Sequence, residues 1–264
     1  TTAANNTAVG AYALTLTTTG ANNVAMGSSA LAANTTAANN TGMGHLALGA
    51  NTTGANNTAV GAQALDASST GASLTAVGSS ALGANTTAAN NTAVGAYSLS
   101  LTTTGANNTA VGQSSLAANT TGVSNIAIGH AALDANTTAS NNVAIGSNAL
   151  GAVTTAPSNV AIGSSAGESM VTGTGENVLI GNNVAPAATT ISQSIIIGDN
   201  AVGAGVATGA GNVIIGDNAG YQLTSGAHNT AIGAAALALN TTGGYNTGIG
   251  SRNFAVNTTG SHNV

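Results

Sequence analysis

Apolar and polar positions recur along this chain with one short period. When stretches such as Asn56-Asn57-Thr58-Ala59-Val60-Gly61 are aligned on their glycine, it falls at 10, 27, 44, 61, 78, 95, 112, 129, 146, 163, 181, 198, 216, 233 and 250. The step is 17 residues, lengthening to 18 only from 163 to 181 and from 198 to 216. A fixed short period running from end to end is the signature of a solenoid, in which each unit leans only on its neighbours. Residues 1–264 therefore read as a single repeat array. It opens mid-repeat at Thr1-Thr2 and stops inside a further motif at Asn263-Val264, as a piece of a longer fibre would.

The commonest unit is N-T-A-V-G-x-x-A-L-x-x-N-T-T-G-A-N, as at 91–107. Three residues before the motif glycine stands Thr, Val or Ile, and just before it Val, Ile or Met. These two columns share a face of a strand, and being the larger apolar ones they are expected inside. Four residues after the glycine runs a second apolar column (Leu14, Leu31, Leu48, Leu65, Leu82, Leu99, Leu116, Leu133, Leu150, Leu237, Phe254), expected on a second strand. Recurrent Gly, Asn-Thr-Thr clusters and β-branched pairs all weaken a helix, and no segment between them is long enough for one. Two short strands per coil are expected, with coils stacking at about 4.8 Å. Asn precedes the strand in nearly every coil, Leu74 and Ser194 excepted, and is expected to stack amide on amide as in cross-β ladders.

Between the two inward columns lies one that alternation sends outward: Ala8, Ala25, Ala59, Ala76, Ala93, Ala110, Ala127, Ala144, Ala161 and Ala231, with Leu179, Ile196 and Ile214 in the later coils. It is never polar, and a sheet face left in water should be. A stripe this long exceeds what a monomer leaves exposed, and a cover of equal length and period is most economically another copy of the same chain. These residues are the expected oligomer interface. Three chains are preferred because three such stripes close around an axis.

The stretches N-N-V-A-I-G at 141–146 and S-N-V-A-I-G at 158–163 resemble the repeat in head domains of trimeric autotransporter adhesins. The N-T-A-V-G version is similar to repeats in phage tail fibres and other extracellular fibres. The resemblance implies an all-β, left-handed parallel β-roll of about fifteen coils, assembled as a parallel homotrimer and displayed outside a cell or on a virion surface.

Charge narrows the partners. One basic residue, Arg252, faces six acids, so clusters able to hold nucleic acid or an anionic membrane are missing. There is no cysteine, and no apolar run approaches the length of a membrane span. An enzyme needs unlike polar groups converging on a point, whereas a repeat supplies like groups in rows; no catalysis and no cofactor are expected. Asp199 and Asp217, one coil apart in two G-D-N stretches, are the candidates for a cation, with solvated turn acids as the plainer reading. His228 and His262 lie two coils apart, too far to share a metal. N-T-T sequons at Asn34, Asn51, Asn85, Asn119, Asn136, Asn240 and Asn257 sit in expected surface turns and are candidates for glycans. The N-N-T sequons at 5, 39, 56, 90 and 107 rank below them, because their Thr is expected inside.

In a variant block at 163–220 the Leu column lapses to Gly167, Ala185, Val202 and Gly220 while the middle strand position enlarges, as if the chain's own core thinned and a core between chains thickened. The function expected is a mechanical shaft of an extracellular fibre or adhesin. Two alternatives stand beside it: an ice-binding solenoid, for which one outward Thr column nine residues after the glycine is a poor lattice, and a carbohydrate- or receptor-binding fibre module.

Overall fold

A computed structural model describes residues 3–264. Two compact units, Thr1–His130 and Ala131–Val264, share one construction. The first carries β1 (Thr7–Val9), β2 (Val24–Met26), β3 (Thr41–Met43), β4 (Thr58–Val60), β5 (Thr75–Val77), β6 (Thr92–Val94), β7 (Thr109–Val111) and β8 (Ile126–Ile128). The second carries β9 (Val143–Ile145), β10 (Val160–Ile162), β11 (Val178–Ile180), β12 (Ile195–Ile197), β13 (Val213–Ile215), β14 (Thr230–Ile232) and β15 (Thr247–Ile249). Each is an all-β solenoid of parallel strands in chain order. Register is kept column by column: Thr58 pairs Thr75, Ala59 pairs Ala76 and Val60 pairs Val77. The lengthened coils absorb their extra residue without a slip, since Val160 still pairs Val178 and Ile195 pairs Val213.

One coil shows how the sequence produces this. From 57 to 73, Asn57, Ala59, Ala64, Leu65, Ser68 and Gly71 are buried, and the remainder are half-buried or exposed. Ala64 and Leu65 are adjacent and both inside, which no strand permits because successive side chains alternate. The chain achieves this with left-handed residues, Asn56 at φ 61°, Gln63 at φ 59° and Leu65 at φ 53°. The expected second strand is therefore a run of turns, closed locally by the Ala64 N–H on the Gly61 carbonyl and the Ser68 N–H on the Leu65 carbonyl, both at 3.3 Å. A leucine at positive φ is strained. Complete burial of its side chain, worth about 1.5–3 kcal/mol, offsets the strain.

Backbone hydrogen bonds nonetheless continue around the perimeter. The N–H groups of Thr58, Leu65 and Ser69 donate forward to carbonyls of Leu74, Ala81 and Thr86, while those of Gly61 and Gln63 donate back to Met43 and His45. The turns are thus hydrogen-bonded to neighbouring coils, as the strands are.

The facing of the strand is the reverse of the expectation. The middle column is inside: Ala25, Ala59, Ala76, Ala93, Ala110 and Ala127 are fully buried in the first unit, and Ala144, Ala161, Leu179, Ile196, Ile214 and Ala231 are at most 1% exposed in the second. Ala8, in the first strand, is exposed. The columns expected inside point out. The reason is room: the interior already holds an Ala-Leu pair and two asparagine-type corners per coil, so a methyl group is what fits opposite the leucine.

The variant block obeys the same rule, which corrects the expected thickening between chains. Where the leucine is lost, the middle strand residue grows into the vacated space of the same chain. A Cβ on Gly167 would lie 2.7 Å from Leu179 Cδ1, and one on Gly220 would lie 3.4 Å from Ile214 Cγ2. Volume is exchanged across the coil and the core stays filled.

Two consequences can be measured. Gly61 has φ 137°, and a Cβ there would lie 2.5 Å from the Gly78 carbonyl oxygen; Gly61→Ala should therefore separate two coils and lower the urea midpoint by far more than the roughly 1 kcal/mol of an ordinary Gly→Ala change. Ile214→Ala should cost about 2–5 kcal/mol through the cavity it leaves. Adding Gly220→Leu, a residue the fold accepts at φ 51° at Leu237 in the next coil, should recover much of that loss. A double variant no more stable than the single one would refute the exchange.

Candidate functional site

Two features of the coil are built with enough regularity to be candidates: the buried asparagine columns and the outward face of the sheet.

The asparagine before each strand is buried and bonded on both sides of its amide. Asn57 Oδ1 accepts the Leu74 N–H of the next coil at 2.9 Å, and its Nδ2 donates to the Gly71 carbonyl at 2.8 Å. Asn40, Asn108, Asn229 and Asn246 repeat the pattern. The ladder is thus mainly amide to backbone. The amide-to-amide bonds expected from the sequence occur as additions, for example Asn177 Nδ2 to Asn159 Oδ1 at 2.9 Å and Asn263 Nδ2 to Asn246 Oδ1 at 2.7 Å.

The N-T-T asparagines form a second inward column. Asn34, Asn51, Asn85, Asn119, Asn136 and Asn240 are fully buried, and Asn257 is half-buried. Asn51 Nδ2 donates both to Asn34 Oδ1 at 3.4 Å and to the Gly54 carbonyl at 2.9 Å. Burial speaks against the expected role of the six fully buried ones as glycan acceptors in the folded chain, most strongly at Asn51, Asn85 and Asn119, where both amide hydrogens are donated; half-buried Asn257 is not enclosed in this way. Ser68 and Thr102 interrupt this column, accepting from Asn85 and Asn119 but giving nothing to the coil before, so Asn51 Oδ1 and Asn85 Oδ1 are buried without a partner. The following Thr column is also bonded, with Oγ1 donating to the carbonyl one coil on, as Thr35 to Thr52 at 3.1 Å and Thr241 to Thr258 at 3.1 Å.

Asp199 and Asp217 are exposed and already engaged. Asp199 accepts from Asn182 and Asn200 at 3.2 and 3.1 Å, and Asp217 from Asn218 at 2.9 Å. No group of three or more metal-ligating side chains occurs among the described residues. His228 and His262 have Tyr245 between them, rings stacked at 4.9 and 5.0 Å, so these surface positions extend the column as an aromatic stack. Burial pushes the Asp66 carboxyl above its ordinary value, against the opposing pull of backbone hydrogen bonds from Ala67 and its own N–H.

The outward sheet face was missed from the sequence. In the second unit, five consecutive strands present aliphatic residues at both outward positions: Val143 and Ile145, Val160 and Ile162, Val178 and Ile180, Ile195 and Ile197, Val213 and Ile215. In the first unit, β3 to β7 present Thr41, Thr58, Thr75, Thr92 and Thr109 beside Met43, Val60, Val77, Val94 and Val111. Strand alternation was the signal that could have found this face. Alternation by itself leaves open which of the two sets is inside.

No family model matches the chain, and no curated protein matches it.

The asparagine columns yield a paired test. Asn57→Ala strands the Leu74 N–H and the Gly71 carbonyl and should cost about 2–4 kcal/mol. Ser68→Asn gives Asn51 Oδ1 a donor and should gain about 1 kcal/mol. Urea denaturation of both variants checks the signs; a destabilising Ser68→Asn would show that the ladder is not limited by its gaps.

Proposed function

We propose that this β-solenoid repeat chain, in which no helix among the described residues is long and apolar enough to cross a membrane, works as a structural segment of an extracellular fibre or adhesin, on a cell or virion surface, with chains held together along the outward sheet face. The observation that carries this reading is the aliphatic run from Val143 to Ile215. Ile162 and Ile195 are 37% and 40% exposed within a row of similar half-buried neighbours, giving a patch on the order of several hundred Å², the size at which exposed apolar surface marks a contact. A partner must match its length and period, which favours a second and third copy of this chain. Three identical faces close around an axis, so a parallel homotrimer remains the assembly of choice, with the contact columns moved from the alanines to their strand neighbours. The resemblance to adhesin-head and tail-fibre repeats supports the same display and a mechanical, non-catalytic role.

A second reading rests on the first unit. Its outward Thr residues stand two positions before Val or Met on strands paired Thr to Thr, so an ordered Thr column does occur on a sheet face, as an ice-binding array requires. That reading needs single chains and thermal hysteresis; the fibre reading needs neither.

Sedimentation and mass per length decide between them. Wild-type chain should run as an oligomer, and Ile180→Asp with Ile197→Asp should disperse it at a cost to the single coil array of about 1 kcal/mol per site, since the two paired strand positions then carry like charges. A wild type that stays monomeric at micromolar concentration would sink the fibre proposal.

A further inference from the structure

With the strand facing reversed, the sequons change rank. The Thr of each N-N-T sequon points out, and its Asn lies in the exposed column that opens the strand corner. Asn39, Asn56, Asn90 and Asn107 are all exposed there, at φ 60–61°. Asn39 Nδ2 donates to Asn56 Oδ1 and Asn90 Nδ2 to Asn107 Oδ1, each at 3.2 Å. Asn56 and Asn107 end these runs. Each only accepts, its Nδ2 making no hydrogen bond among the described residues, and the next place in the column is held by the small exposed residues Ser73 and Ser124. These two exposed amides thus have an uncommitted nitrogen, and the sequon Thr58 and Thr109 are half-buried on the outward face.

We propose that Asn56 and Asn107 are sites of N-linked glycosylation, the donor being a sugar activated at C1 by a phosphate-type leaving group. In the transfer the Asn Nδ2 to sugar C1 bond forms, the C1–O bond to the leaving phosphate breaks, and one amide proton passes to base. The bond that each Oδ1 accepts from the preceding asparagine is untouched, so the column survives. At Asn51, by contrast, the same reaction would remove a hydrogen already given to Asn34 or Gly54 and would insert a sugar into the core. Sugars at the corner would coat the faces that flank the sheet and leave its outward columns free. The assignment rests on exposure and hydrogen bonding alone and does not require the fibre reading.

Two donors share this chemistry, a nucleotide sugar and a lipid-pyrophosphate-linked glycan, so the test has two arms. In one, the purified folded chain is incubated with UDP-glucose and a soluble sequon-directed N-glycosyltransferase. In the other, the chain is secreted through a host whose membrane oligosaccharyltransferase uses a lipid-linked donor. Peptide mass mapping should find sugar on Asn56 and Asn107 and none on Asn51, Asn85 or Asn119 in the soluble folded product. Thr58→Val and Thr109→Val, which destroy the sequons while keeping a residue type the column accepts at Val24, should abolish it with the denaturation midpoint unchanged. Both arms are repeated on the Ile180→Asp, Ile197→Asp chain; sugar on the dispersed chain alone would mean that assembly shields the sequon Thr, and supports the assignment. Bare Asn56 and Asn107 in both arms and both chains, with a free peptide spanning 52–60 modified under the same conditions, would overturn it. So would sugar on Asn51, Asn85 or Asn119 in the folded chain.

Discussion

The fold depends on a buried amide that bridges two successive coils. Within a coil the interior holds little more than two alanines and one leucine, as Ala59, Ala64 and Leu65 show, too little apolar surface to fix a coil by burial alone. Asn57 supplies what is missing, joining the backbone of its own turn to that of the next coil inside a dry corner. In such surroundings a satisfied hydrogen bond gains strength and an unsatisfied one is costly, so the column favours one stacking register above all others. Where the asparagine gives way to Leu74, the Asn57 Oδ1 still accepts the Leu74 N–H.

A second consequence follows from the narrow interior. Strand alternation allows either face to be inside, and hydrophobicity alone favours Val and Ile over Ala. Volume decides otherwise, because a Cβ at the strand position of Gly42 would already lie 3.3 Å from Leu31 Cγ, which leaves room for a methyl and little more. The later coils show that this is a shared space: Leu179 and Ile214 occupy the strand position only where Gly167 and Gly220 have withdrawn.

The period, the leucine column, the structural glycines and the structural character of the asparagines were legible in the sequence because each is a one-dimensional pattern. The facing of Ala59 was not, since it depends on what lies opposite, which the repeat does not state. The missing second strand has the same cause. Gln63 and Leu65 adopt left-handed conformations that their residue types do not advertise, and an adjacent buried pair at Ala64 and Leu65 was read as one apolar column. Asn51 and Asn56 show the limit most clearly: both lie in sequons beside turn residues, yet one amide is enclosed and the other free, a difference set by which side of the backbone the left-handed turn presents.

Since the coil's interior is fixed by size and hydrogen bonding, its exterior is free to differ between the units. Thr alternates with Val or Met over β3 to β7, while Val and Ile fill both columns over β9 to β13. The inward asparagine column changes over part of the same range, to Val153, Met170, Ala188 and Leu223, all at most 2% exposed. Coils there exchange polar ladder bonds for apolar contact on the inside while their outside becomes more apolar as well. Stability inside one chain does not call for the second change, because outward residues add little to a coil that is already closed. Such an exterior is what the proposed assembly would use, because a repeat array meets along its whole length only a partner of the same period.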